Sequence, residues 1–86
     1  MATEQEILVY PNPTKGGLTV DFGTPVQQEL ELKVLNNIGV VIENVKVEKS
    51  MSNFELDFSN YPTGIYYIEV IDAEGNRTSQ KIVKQD

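Results

Sequence analysis

Apolar and polar residues alternate with a period of two over much of this chain, which constrains its fold more than any other feature. The clearest runs are residues 18–22, 30–34 and 54–58, in which every second residue is apolar. Because successive side chains of a strand point to opposite faces, this pattern indicates strands with one face in a core and one in water. No segment combines helical spacing of apolar residues with helix caps. We therefore predict an all-β fold.

Seven strands are predicted, at about residues 6–10, 17–22, 29–36, 40–47, 53–58, 64–72 and 76–84. Short strands separated by turn signals are typical of a β-sandwich or barrel. The chain is short enough to form one domain, which we place at residues 7–86. Residues 1–6 have no basic start and no apolar block, so they are interpreted as a linker joined to an excised domain rather than a signal peptide.

Two turns have the same chemistry. Asn36 and Asp72 each begin a four-residue segment that ends in glycine, at Gly39 and Gly75. The Asx side chain bonds the backbone two residues on, and the glycine takes positive φ in a three-residue hairpin loop. We predict hairpins between the third and fourth strands and between the sixth and seventh.

The predicted strand at residues 64–72 departs from simple alternation, because its segment from Ile65 to Ile71 is apolar on both faces except at Glu69. Such a strand is either central and covered on both faces, or its second face meets a partner. Two interpretations are open for the tyrosines here. Tyr61, Tyr66 and Tyr67 form either a stacking platform for sugar or, more commonly, a core edge with hydroxyls at the rim. One hydroxyl is expected to bond the backbone across a corner.

The composition argues against several classes of function. The absence of histidine and cysteine removes Ser-His and Cys-His nucleophilic pairs and the common zinc sites. No calcium-binding Asp-x-Asp-x-Asx loop occurs. We therefore predict no catalytic residue, no metal and no cofactor, and thus a protein that is not an enzyme. The net charge of −6 argues against nucleic-acid binding and docking on anionic membranes, and no apolar run is long enough to insert into one.

Several short segments carry a resemblance to a known family. They are Tyr10, Pro11, Asn12 and Pro13; Gly39; Gly64, Ile65 and Tyr66; Gly75; and the terminal run Lys81, Ile82, Val83 and Lys84. In this order and spacing the chain resembles the C-terminal sorting domain of type IX secretion cargo, the Por secretion system type A family of Bacteroidetes. The resemblance covers about residues 7–84. It departs where Asn36 and Asn37 replace a Tyr-Asp-like pair, and where Gln85 and Asp86 follow the terminal lysine.

The resemblance implies an Ig-like sandwich that acts as a non-enzymatic export signal. A parent protein enters the periplasm, and its sorting domain engages shuttle components and the outer-membrane translocon. A cell-surface sortase then cleaves at or before residues 1–6 and attaches the cargo to the cell surface. The residues listed above become sorting-motif residues on this view.

The terminal strand has two interpretations. Its lysines either blunt an exposed sheet edge or belong to a strand that a receptor reads by strand addition. A free backbone edge also allows weak homodimers. The rivals to the sorting function are an Ig-like or fibronectin-like accessory module that binds carbohydrate or protein, and a structural spacer.

Overall fold

The computed structural model describes residues 7–86, which form seven strands in two antiparallel sheets. All seven predicted strands are confirmed. Each predicted end that lies in the described range agrees with the observed end to within two residues. The predicted linker at residues 1–6 and the predicted start of the first strand lie outside it. The strands are β1 (Leu8–Tyr10), β2 (Gly17–Asp21), β3 (Leu30–Leu35), β4 (Val41–Val47), β5 (Asn53–Asp57), β6 (Gly64–Ile71) and β7 (Arg77–Lys84).

The two sheets pack face to face as a sandwich, as predicted. One sheet has the order β1-β2-β5 and the other the order β4-β3-β6-β7. Strand β3 shows how the alternation builds the core, because Leu30, Leu32 and Val34 are buried while the residues between them are half-buried. Side chains from both sheets meet in one apolar cluster, which includes Leu18, Val20, Leu32, Val34, Leu56, Phe58, Ile68 and Ile82.

Both predicted hairpins are confirmed, with the expected turn chemistry. The Asn36 Oδ1 accepts hydrogen bonds from the backbone amides of Ile38 at 3.1 Å and Val40 at 2.9 Å. Gly39 has a φ of 85° and Gly75 a φ of 88°. These are conformations that side chains with a Cβ rarely adopt, so the glycines are required by the turns.

Strand β6 is central in its sheet, between β3 and β7. Its inner face is buried through Tyr66, Ile68 and Val70, whereas Ile65 and Tyr67 on the outer face are exposed. We gave two explanations for the apolar character of this strand. The first, that the strand is covered on both faces, is therefore wrong for the end of β6 at residues 65–67 within the described chain.

Strand β7 lies at the edge of the four-stranded sheet, as expected. It has eight residues, the same number as β6, and it pairs with β6 along its whole length. Ile82 in β7 is fully buried. The terminal strand is therefore a structural part of the sandwich and not an appendage.

Over residues 7–86 the fold contains no helix of the length and apolar character needed to cross a membrane.

Candidate functional site

Three of the predicted motif segments meet at one end of the four-stranded sheet. In the β6–β7 register, Gly64 lies opposite Lys84, Ile65 opposite Val83, and Tyr66 opposite Ile82. Residues 12–14 lie along the other side of β7, where Thr14 forms a parallel bridge with Lys84. We call residues 10–14, 64–66 and 81–84 together the motif end.

The Asn12 side chain holds the outer edge of β7. Its Nδ2 donates a hydrogen bond to the carbonyl oxygen of Lys81 at 2.9 Å, and its Oδ1 accepts one from the amide of Val83 at 3.0 Å. An amide side chain has both a donor and an acceptor, so it substitutes for one residue of a neighbouring strand. Pro11 and Pro13 on either side of Asn12 have no backbone amide to offer, and both are preceded by cis peptide bonds.

Thr14 continues this contact through its backbone. Its amide donates to the carbonyl oxygen of Val83 at 2.9 Å, and its own carbonyl accepts from the amide of Gln85 at 2.8 Å. The Thr14 hydroxyl donates to the carbonyl oxygen of Gly17 at 2.7 Å and accepts from the amide of Gly16 at 3.1 Å. Thr14 is fully buried, and these four bonds satisfy its polar groups as burial demands.

These contacts change the interpretation of the terminal strand. The edge position of β7 is confirmed, but its backbone is not free from Lys81 onwards, because Asn12 and Thr14 bond it. The chain thus covers with its own residues 12–14 the edge that one of our two interpretations left to the lysines to protect.

The side chains of residues 81–84 alternate between the two faces of the sheet. Lys81 is exposed and Val83 half-buried on the outer face, whereas Ile82 and Lys84 face inwards. Lys84 is only 6% exposed. Its aliphatic stem therefore packs within the sandwich, and no buried side-chain nitrogen or oxygen in the described chain lacks a hydrogen-bond partner.

The remaining predicted site residues divide between the two ends of the sheet. Gly39 belongs to the β3–β4 turn, which begins directly after Leu35. Because Leu35 pairs with Tyr67 near the start of β6, this turn lies beside the motif end. Gly75 lies beyond the pair formed by Ile71 and Arg77, at the opposite end. Gly75 therefore shapes a remote hairpin and does not join the cluster.

Two of the three tyrosines form the edge of the core, which confirms the structural interpretation for them. The rings of Phe58, Tyr61 and Tyr66 lie in mutual contact, with centroids 5.0 to 5.6 Å apart. The Tyr66 hydroxyl donates to the carbonyl oxygen of Pro62 at 2.6 Å, which is the predicted bond across a corner. Tyr67 lies apart on the outer face, so the three rings do not form a common platform.

The Tyr61 hydroxyl donates a hydrogen bond to the Glu43 carboxylate, which lies on the inner face of β4 opposite Val34. Burial, reinforced by the bond to Glu43 and its negative charge, raises the pKa of Tyr61 to about 12. Tyr61 therefore stays protonated at physiological pH and links β4 to the loop before β6.

A groove of about 400 Å³ runs between the β3–β4 turn and the start of β6. It is lined mainly by apolar and aromatic side chains, among them Ile42, Tyr61, Pro62 and Ile65. Within residues 7–86, no group of His, Cys, Asp or Glu side chains is arranged to hold a metal ion. The motif end and this groove thus present apolar and aromatic side chains, which suit recognition of a protein surface.

The sequence indicated the motif residues but not their contacts. Thr14 was not among the predicted site residues, although it forms the bridge between the two motif segments. The local signal was limited to the Pro11-Asn12-Pro13 pattern, which leaves Asn12 with the one backbone amide of these three residues but does not indicate which strand it meets.

Comparisons with known proteins agree with this architecture. A family model described as the secretion system C-terminal sorting domain matches residues 8–85. A comparison with curated proteins found no match. Among solved structures, the chain is similar to a DUF3244 family protein with an immunoglobulin-like β-sandwich fold from Bacteroides vulgatus ATCC 8482. The TM-score is 0.76 at 16% identity, over 92% of this chain and 84% of the other. This likeness establishes the Ig-like fold.

Proposed function

Since this chain belongs to the secretion system C-terminal sorting domain family, we propose that it directs a parent protein through the type IX outer-membrane translocon without any catalysis of its own. Membership of the family makes the chain a sorting signal for export to the cell surface or the extracellular space. It also implies contact with the secretion machinery. What we propose in addition is the route of export and the particular components of the machinery that this chain contacts.

The observation that supports this proposal best is the meeting of the motif segments. Asn12 and Val83 are 71 positions apart in sequence, yet their side-chain and backbone groups bond at 3.0 Å. Gly64 and Lys84 face each other beside them. A receptor that contacts this end of the sandwich thereby reads the front, the middle and the back of the chain together.

The full route is proposed as follows. The parent protein enters the periplasm of a cell of the Bacteroidetes type, and shuttle components present its sorting domain to the translocon. After passage, a cell-surface sortase cleaves at or before residues 1–6 and attaches the cargo to the surface. The sandwich stays outside the lipid, consistent with its net charge of −6.

Recognition by strand addition along β7 has a structural condition. The outward backbone groups of Val83 and the Lys81 carbonyl are already bonded by Asn12 and Thr14. A receptor strand can pair with residues 81–85 only after residues 12–14 leave that edge. Docking on the intact motif end needs no such change and is the mode that we propose.

The experiment that tests the function is an export assay. Residues 1–86 are fused to a periplasmic reporter and produced in a type IX-competent strain and in an isogenic strain without the translocon. We expect the reporter on the surface of the first strain and in the periplasm of the second. Retention in the periplasm of both strains would contradict the proposal. An accessory binding module would give that result, together with measurable affinity for a glycan or another protein.

Truncation of the terminal strand needs a control for folding. Deletion of residues 81–86 should trap the fusion in the periplasm, but it also removes the fully buried Ile82. The matched variant is Lys81→Ala, which changes an exposed side chain and should lower export without lowering the melting temperature. Normal export of the Lys81→Ala fusion would remove Lys81 from the recognised residues.

A further inference from the structure

Most of the exposed large apolar side chains of the described chain lie on two neighbouring segments. Eight such side chains are exposed, and two of them, Leu8 and Tyr10, belong to β1 in the other sheet. The other six come from the β3–β4 hairpin and the start of β6. We call them the hairpin patch: Ile38, Val40, Val41, Ile42, Ile65 and Tyr67.

The strand register makes the hairpin patch one continuous surface. Leu35 pairs with Val41 on one side and with Tyr67 on the other. Ile65 lies on the same face of β6 as Tyr67, two residues earlier, and lines one groove together with Ile42. Soluble monomers rarely keep contiguous apolar surface exposed without a use, so such a patch marks an interaction site.

The rest of this outer face is polar except for the half-buried Ile71, which limits the interaction to the end beside the motif residues. The next cross-strand row contains Asn44, Lys33, Glu69 and Ser79. The row beyond it contains Lys46, Glu31, Ile71 and Arg77. The hairpin patch shares Ile65 with the motif end and is therefore continuous with the surface proposed to be recognised.

The charges beside the hairpin patch are positive, although the chain carries a net charge of −6. Lys81 lies directly opposite Tyr67, and Lys33 lies two residues before Leu35. The two carboxylates on this face each have a basic neighbour. Glu69 pairs with Arg77 at 3.3 Å, the one ion pair within residues 7–86, and Glu31 lies opposite Lys46 in the β3–β4 register.

Glu43, the other carboxylate close to the patch, faces the inner side of β4 and accepts the Tyr61 hydroxyl. The outer face therefore carries four basic side chains against two carboxylates, and Lys33 and Lys81 are the basic side chains nearest the patch. A complementary surface carries carboxylates around apolar side chains, because opposite potentials across an interface favour association.

We propose that the hairpin patch docks a protein of the export machinery through a surface that combines apolar side chains with carboxylates. This inference rests on the proposed function and names the chemistry of its partner. A second copy of the chain is a poor occupant, because face-to-face pairing brings Lys33 and Lys81 of both copies together. An anionic bilayer is also a poorer occupant than a protein, because the two lysines near the patch attract it only weakly. The net charge of −6 on the chain opposes that attraction.

The test uses the reporter fusion and compares substitutions of exposed apolar residues by serine, on the hairpin patch and away from it. Val41→Ser and Tyr67→Ser alter the hairpin patch, and Leu8→Ser alters a 64% exposed side chain of the other sheet. We expect the two patch variants to slow export by about tenfold, as loss of contacts at the centre of an interface does. The Leu8→Ser fusion should be exported at the wild-type rate.

A charge-reversal arm tests the chemistry of the partner. The double variant Lys33→Glu with Lys81→Glu should slow export further than Lys81→Ala does. The control is Lys46→Glu with Lys49→Glu, which produces the same net charge away from the patch and should leave export unchanged. Equal effects of the two double variants would show that net charge matters and the patch does not, and would overturn the proposal.

Folding and the rival occupants are measured on the same proteins. Melting temperatures identify any variant that fails to fold, and Ile38→Ser then replaces it, since that hairpin-tip side chain is 77% exposed. Patch-dependent dimers in sedimentation, or flotation with anionic or zwitterionic vesicles, would overturn the proposal in favour of those occupants.

The outcomes for the function and the patch are separable. A wild-type fusion that stays in the periplasm contradicts the sorting function itself. A wild-type fusion that is exported, together with Val41→Ser and Tyr67→Ser fusions exported equally well, contradicts the hairpin patch alone. A photo-crosslinker at position 67 should also join the fusion to a translocation component during export, whereas one at Glu55 should not.

Discussion

Asn12 and Val83 are joined by a hydrogen bond of 3.0 Å between the Val83 amide and the Asn12 Oδ1. The same side chain donates to the carbonyl oxygen of Lys81 at 2.9 Å. A single amide side chain therefore replaces a stretch of neighbouring strand at the edge of β7. This pair connects the two ends of the domain, and its removal is a direct test of how the motif end is held.

Asn12→Ala removes both of these bonds and leaves the edge of β7 open to water. Because the bonds are near the surface, we expect the free energy of unfolding to fall by about 1–2 kcal/mol. Amide exchange should become faster at Val83 in particular. Chemical denaturation and hydrogen exchange measure the two effects. Asn37→Ala, at an exposed turn residue, is the control and should change neither.

Gly64→Val tests the backbone at the start of β6. Gly64 has a φ of 151°, and an added Cβ would meet nothing within 4 Å. The cost is therefore conformational, and we expect a loss of about 1–3 kcal/mol in the free energy of unfolding. Gly17 is the control, because it has equal space and no positive φ. Equal melting temperatures for Gly64→Val and Gly17→Val would contradict this account.

Tyr66→Phe removes the hydroxyl that donates to Pro62 at 2.6 Å. The change leaves the Pro62 carbonyl oxygen without this partner while keeping the ring in the core. We expect a loss of about 1–1.5 kcal/mol in thermal or chemical unfolding. Tyr67→Phe makes the same chemical change on the exposed outer face and should be neutral. A similar loss in both variants would mean that the corner bond is not the cause.

Tyr61 predicts a difference in alkaline stability. Its pKa is raised from 10.0 to about 12 in the folded protein, chiefly by burial. The resulting stabilisation is present below pH 10 and is lost as the pH rises through the folded pKa. Between pH 10 and about pH 12, the free energy of unfolding of Tyr61→Phe should therefore fall less than that of the wild type. Unfolding measured along a pH series tests this, and parallel curves for the two proteins would refute it.

Asp72 predicts a difference in acid. Hydrogen bonds from Asn76, first from its backbone amide and then from its side chain, hold the pKa of Asp72 below its ordinary value of 3.8. This stabilisation is present above that value and is lost as the pH falls through the lower, folded pKa. The free energy of unfolding of Asp72→Ala should therefore fall less steeply with decreasing pH than that of the wild type. A carboxyl titration by NMR measures the Asp72 pKa directly, and a value at or above 3.8 would contradict the turn geometry.

The strands and turns were predictable because their causes are local. Alternation fixed which side chains of β3 face the core, and an Asx residue with glycine three positions later specified both hairpins. The contact between residues 12–14 and β7 was not predictable in this way. It depends on how two distant segments meet after folding, and nothing in the local pattern of either one encodes the other.

The full extent of the hairpin patch could not be predicted from the sequence either. The apolar outer face of β6 was visible in sequence, but its continuation through Leu35 to Val41 depends on the register of three strands. The bulge between Val34 and Leu35 moves that register by one residue and determines which β4 side chains join the patch.

The bridge between Thr14 and Lys84 has a consequence for quality control. The motif end forms only when residues 81–85 have been synthesised and have paired with β6 on one side and residues 12–14 on the other. A prematurely terminated or misfolded chain does not display it. If a receptor recognises this surface, as we propose, it would admit only cargo whose sorting domain has folded with residues 81–85 in place, and no separate sensor would be needed to check this.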